Sequence, residues 1–250
     1  MTPSLPAWAA ASLAAHTLAA SLTVLRSSRA PDAWRHRLSG MAWIVRALYY
    51  VGVPYLALIG GVVTPTQLSL AQPDAVQSVA ALPPLGAWLL AGALLIALHA
   101  LLVRRHYPAG VRPAVRRRAQ LARPWGFAFI MLETLYLQAH WTFYRAAAAD
   151  ALGLSGREAA ALAGLALVGI EWLLDPAWWR DMTRAGLWED RVLVVGLAAA
   201  SAILYIVTAN FFISLAAHAV IWLAWLVILA RLYRPLRADP TVARPPEGVA

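Results

Sequence analysis

From Val192 to Ala230 the chain runs for 39 residues without an aspartate, glutamate, lysine or arginine. As a single helix that run would measure roughly 60 Å, about twice the hydrocarbon thickness of a bilayer. It is too long for one crossing, so a tight hairpin at Asn210 is expected to divide it into spans over 192–209 and 211–230. Five other apolar stretches have the length of a crossing, at about 7–25, 41–63, 84–103, 125–148 and 158–174. Composition agrees: 61% of residues are hydrophobic and 13% charged, against roughly 45–50% and about 25% in ordinary globular domains. Too little polar surface is left to cover a water-soluble globule. No fixed-period repeat and no strand pattern stands out. The expected fold is all-α: a polytopic transmembrane helical bundle of about seven spans over residues 1–236, then a flexible, proline-rich and charged tail over 237–250.

Arginine placement sets the expected orientation. With the N-terminus outside, the inner segments 26–39, 104–124, 176–191 and 231–250 carry 18 of the 21 arginines, and the outer segments carry Arg157 alone. This asymmetry puts the C-terminus in the cytoplasm of a multi-pass protein of the cell membrane. It also accounts for the net charge of +9 without a nucleic-acid partner. The dense run Arg104–Arg123 suits a bilayer with anionic headgroups, or serves as a topology signal alone. No basic segment precedes the first apolar stretch, so that stretch is expected to stay as a span rather than be cleaved. Asp175 and Pro176 suit the cap and first position of a short helix, with Trp178, Trp179, Met182 and Trp188 as its interfacial face.

Two residue types are missing. Without cysteine there is no disulfide, thiolate ligand or thiol nucleophile; without lysine there is no Schiff base and no P-loop lysine. Chemistry is left to the polar residues inside the spans, where each is costly. Arg46 and Arg145 are expected to snorkel to the inner and outer headgroups. Glu133 and His140 are seven residues apart, which puts them on one side of the fourth span with Tyr136 and Tyr144 nearby. Glu133, near mid-depth, reads as a general base, proton carrier or metal ligand, or as a hydrogen-bonded tie between helices. Asn210, Ser214 and His218, spaced by four, form a stripe that brings His218 to a similar depth. Glu133 and His218 are the expected pair, sharing a proton, holding a water or, if a divalent metal is present, binding it; hydrogen-bonded packing is the alternative. Glu171, a turn from the inner surface, pairs with an arginine or lines the same cavity from below. His16 and His99 read as packing histidines.

Gly153-Leu-Ser155-Gly156 matches the GxSG of rhomboid proteases, but Ser155-Gly-Arg-Glu158 reads better as a capping box opening the fifth span. A rhomboid serine sits buried facing a histidine, whereas Arg157 and Glu158 place this one at the outer surface.

Glu133 in one helix and Thr208-Ala-Asn210-Phe-Phe-Ile-Ser-Leu-Ala-Ala-His218 in a later one resemble the CPBP (CAAX-processing and bacteriocin-processing) family of intramembrane proteases over residues 125–230. That family has a Glu-Glu-x-x-x-Arg helix and two later histidine-bearing helices. Here Thr134 and Gln138 replace the second glutamate and the arginine, Trp222 stands where an asparagine is usual, and no histidine occurs between His140 and His218. The resemblance implies that Glu133 activates a water within the membrane while His218 helps to bind it or the oxyanion; placement along the spans adds His140, Asn210, Ser214 and Glu171 as supporting residues. The departures leave an active intramembrane endopeptidase and an inactive or repurposed member both open. A non-catalytic subunit or scaffold with a membrane-protein or peptide partner is the alternative from another class.

Overall fold

The computed structural model describes residues 4–29, 44–71, 124–182 and 188–232, with scattered positions between 79 and 94. The third expected span with His99, the arginine-rich 104–123 segment and the 237–250 tail lie largely or wholly outside these residues. The alanine-rich first segment loses little side-chain freedom on coiling and forms α1, Leu5–Arg29, with Pro6 in the first turn, where a missing N–H is harmless. Helix α2, Ile44–Ile59, carries a π turn at Leu48–Gly52. Its cause is Pro54, which has no N–H for the Tyr50 carbonyl and whose ring crowds it; the turn widens, and Val53 N–H reaches back to Leu48 O.

Helix α3, Gly126–Leu152, is the axis of the bundle and is buried nearly all round from Thr134 to Ala148. It ends at Gly153, whose φ of 62° is left-handed. Bonds from Gly153 N–H to Asp150 O and from Leu154 N–H to Ala149 O close the end as a Schellman motif. The chain then turns through 111° into α4, Arg157–Leu174. One stripe of α4 is buried: Ala160, Ala161, Gly164, Val168 and Glu171, at helical spacing. Next come α5, Pro176–Met182; α6, Trp188–Thr208; and α7, Phe211–Leu232. Helices α1, α2, α4 and α7 all pack on α3, and α6 packs on α4 and α7.

Among the described residues every element is helical, as the all-α expectation requires. Asp175 caps α5 as expected, its Oδ1 accepting from Ala177 N–H at 2.7 Å, and Pro176 opens it. The expected hairpin lies at residues 209 and 210. Asn210 Oδ1 accepts from Ile213 N–H at 3.1 Å to start α7, while Ala209 takes a left-handed φ of 44°. The 62–71 loop docks on this turn: Ser69 O accepts from Phe211 N–H at 2.9 Å, and Asn210 Nδ2 donates to Ala71 O at 3.0 Å.

Two expectations are corrected. The cap of α4 is Gly156, in extended conformation and with no side-chain cap bond, so Ser155 does not form a capping box. Trp178 faces inward, stacked on Trp172 at 4.7 Å, leaving Trp179 and Met182 exposed; the side chain of Trp188 lies outside those described. No single helix among the described residues is long and apolar enough to cross a membrane, and α3 and α4 pass together as a bent pair.

Candidate functional site

Glu133 and His218, the pair expected to meet, belong to different networks. Five residues separate Glu133 from Gln138, roughly 140° around α3, so the two face different neighbours. Glu133 looks toward α2, where Arg46 Nη2 donates to its Oε1 at 3.1 Å, and its side chain is 27% exposed. Arg46 is thus a partner of the acid, with its guanidinium 5.3 Å from the Tyr50 ring centre, and not a free snorkelling side chain.

His218 is buried between Trp141 and Trp222, whose rings lie nearly parallel to it at 5.4 and 5.5 Å. Its hydrogen bonding is a directed chain. Arg145 Nη1 donates to Ser201 Oγ at 3.2 Å, Ser201 donates to Gln138 Oε1 at 2.9 Å, and Gln138 Nε2 donates to His218 Nδ1 at 2.8 Å. Nδ1 being an acceptor, the proton of a neutral ring sits on Nε2, which has no hydrogen-bond partner among the described residues. Ser214 is buried beside this network but makes no side-chain hydrogen bond among the described residues, and Asn210 serves the α7 cap and the 62–71 loop.

Arg145 is corrected most. It points into the interface of α3, α4 and α6 and is 4% exposed. Besides Ser201, its guanidinium donates to Thr142 Oγ1 at 2.7 Å and lies 4.4 Å from the Tyr205 ring centre. It reaches this place by lying across Gly164: a Cβ there would stand 2.4 Å from Arg145 Cγ and 2.8 Å from its Cα.

Glu171 and His140, expected only to support a site, form its most concentrated chemistry. His140 Nε2 lies 2.6 Å from Glu171 Oε2, and both side chains are almost wholly buried. His140 Nδ1 has no hydrogen-bond partner among the described residues, so the ring proton belongs on Nε2, directed at the carboxylate. Tyr49, carried inward by the π turn of α2, donates to the same Oε2 at 2.9 Å and lies 3.0 Å from His140 Nε2. With its only proton so used, Tyr49 accepts from Tyr144 at 2.9 Å. From α1, His16 Nε2 stands 3.7 Å from both Glu171 Oε1 and Asp175 Oδ2. It therefore takes part in the cluster as well as packing against the Tyr49 ring. At Asp175 burial acts to raise the pKa, but the His16 imidazole, the Ala177 N–H and the Arg191 charge outweigh it and hold the carboxyl below its usual range.

The centre thus joins a carboxylate, two imidazoles, two phenols and a second carboxylate from α1, α2, α3 and the end of α4. It can hold a proton between Glu171 and His140, exchange it toward His16 and Asp175, and polarise a water brought to the carboxylate. Among the described residues no group of three or more His, Asp or Glu side chains is arranged to hold a metal ion. Tyr49, Gln138 and Ser201 are site residues that sequence reasoning missed. Pro54 is a usable signal for the first, because a proline leaves the carbonyl of Tyr50, four residues earlier, without its helical N–H and widens the turn that holds Tyr49. No family model matches the chain, and no match was found among curated proteins or solved structures.

Proposed function

We propose that this chain is a multi-pass membrane protein of about seven spans, with its N-terminus outside and its C-terminus in the cytoplasm. In this reading it is an intramembrane endopeptidase whose acid–base work falls to Glu171 and His140, and not to Glu133 and His218, the two residues that carry the CPBP resemblance. The observation that carries the reading is the 2.6 Å carboxylate–imidazole contact, buried and backed by two phenols. Glu171 takes a proton from a water as its oxygen attacks the scissile carbonyl. The hydroxyls of Tyr49 and Tyr144 turn to the oxyanion, and His140 returns a proton to the leaving amine. The sidedness is supported by the docking of the 62–71 loop on the 209–210 turn, two segments that the arginine pattern assigns to the same outer face. The inner arginines suit anionic headgroups of the cell membrane.

The test is cleavage of a membrane-peptide panel by the full chain in lipid vesicles. The parent and a Glu133→Gln variant should cut, whereas Glu171→Gln and His140→Asn should not. A Glu171→Gln variant that cuts like the parent overturns the assignment. A second reading, a non-catalytic subunit or scaffold, is favoured by how closely Tyr49, Tyr144 and His16 enclose Glu171, which is 2% exposed. A parent that cleaves nothing but co-purifies with a fixed membrane partner establishes that reading instead. For orientation, the absence of native cysteine allows single Leu154→Cys and Ala238→Cys variants to be labelled in intact cells with an impermeant maleimide. Only the first should react.

A further inference from the structure

Arg145 is a guanidinium buried without a counter-charge. Among the described residues no carboxylate lies within 4 Å of it, and its partners are two neutral hydroxyls, Ser201 and Thr142, and the face of Tyr205. An arginine keeps its proton under all ordinary conditions, so it brings a full positive charge into the bundle. Buried charges are as a rule paired. Its Nε is buried and has no hydrogen-bond partner among the described residues. Beside it is a cavity of about 10 Å³, lined by Trp141 and Arg145 of α3, by Ala161, Gly164 and Val168 of α4, and by Ala198 of α6, among others. The small side chains on α4 and α6 are what keep this space open.

We propose that the cavity beside Arg145 binds one small monoanion of halide size, held by the guanidinium charge. Sign and size both select this ligand. A neutral water leaves the charge uncompensated, and a space of roughly one solvent sphere favours a single-atom anion over a carboxylate, phosphate or sulfate. The chain from Arg145 through Ser201 and Gln138 to His218 turns the Ser201 oxygen toward the guanidinium, a neutral dipole that eases the charge without supplying a counter-ion. This site is separate from Glu171 and His140 and does not depend on the proposed activity.

The experiment uses the full chain in detergent micelles or nanodiscs. Chloride-35 resonance lines should broaden on adding the parent protein and sharpen again when bromide competes. Thermal unfolding at fixed ionic strength should show midpoints that rise with the logarithm of chloride or bromide concentration but not with gluconate or sulfate. The halide-dependent rise should vanish in Arg145→Gln, and also in Ala198→Leu, which fills the space and leaves the guanidinium in place. The chloride broadening needs no variant and stands even if a substitution impairs folding. Absence of bromide-reversible broadening, equal midpoints in chloride and gluconate, equal stabilisation by sulfate, or a halide effect that survives in Arg145→Gln each overturns the proposal.

Discussion

Replacing Gly164 with alanine is the sharpest test of the packing between α3 and α4. By propensity alone the change should help, since alanine is favoured over glycine in a helix interior by about 1 kcal/mol. The structure reverses that sign. The new Cβ would lie 2.4 Å from Arg145 Cγ, 2.8 Å from Arg145 Cα and 3.1 Å from Arg145 Cβ. One of these atoms is backbone, so no rotamer change relieves the contact, and the helices must part by on the order of 1 Å to restore ordinary separations. Overpacking of this kind costs roughly 1–3 kcal/mol. Parting the helices also stretches the 3.2 Å bond from Arg145 to Ser201, already near its limit, and hydrogen bonds to charged groups contribute about 1.5–3 kcal/mol each. After subtracting the propensity gain, a net loss of about 1.5–5 kcal/mol remains, which in a chain of this size lowers the unfolding midpoint by roughly 3–20 °C. The control is in the same helix: a Cβ at Gly169 meets nothing within 4 Å. Gly169→Ala should therefore be neutral or stabilising by up to about 1 kcal/mol. Thermal unfolding of both variants in the same detergent decides the matter. A Gly164→Ala protein as stable as Gly169→Ala refutes the close approach of α3 and α4.

Two further outcomes are expected. Asn210→Ala removes the α7 cap and the bond to Ala71, costing about 1–2 kcal/mol, and should speed amide hydrogen exchange at Phe211 and Ile213 more than at the centre of α7. The carboxyl of Asp175 is held below its ordinary range, so its contribution is complete above the unfolded pKa of about 3.9 and fades as pH falls through the folded value. Unfolding midpoints of the parent and of Asp175→Asn should accordingly differ at pH 6 and converge well below pH 4.

Element positions were legible because their signals are local. Asp175 with Pro176 marks a helix start, and Asn210 supplies a cap within an otherwise uninterrupted apolar run. The partners of interior polar groups were not, because helical periodicity assigns a face and not the neighbour that covers it. Glu171 illustrates the difference. Its place on the stripe of Ala160, Gly164 and Val168 is readable from spacing, but its depth is not. The 111° turn after Gly153 carries the end of α4 to the middle of α3, and an up-and-down reading leaves Glu171 near the surface. Arg145 departs from its expected place for a related reason: arginine near a span end normally escapes to headgroups, and only the glycine opposite it, nineteen residues later in the chain, makes the inward route possible. Glu133 was assigned to His218 by equal depth, yet they project from α3 and α7 in directions that do not converge.

The widened turn at Leu48–Gly52 ties two distant contacts together. Arg46 lies on its near side and reaches Glu133, while Tyr49 lies within it and reaches Glu171. Rewinding that turn to the ordinary pitch would swing everything before it by roughly 100° about the axis, withdrawing both side chains in a single screw motion. The half-exposed ion pair and the enclosed acid are therefore geared to one another through a single proline.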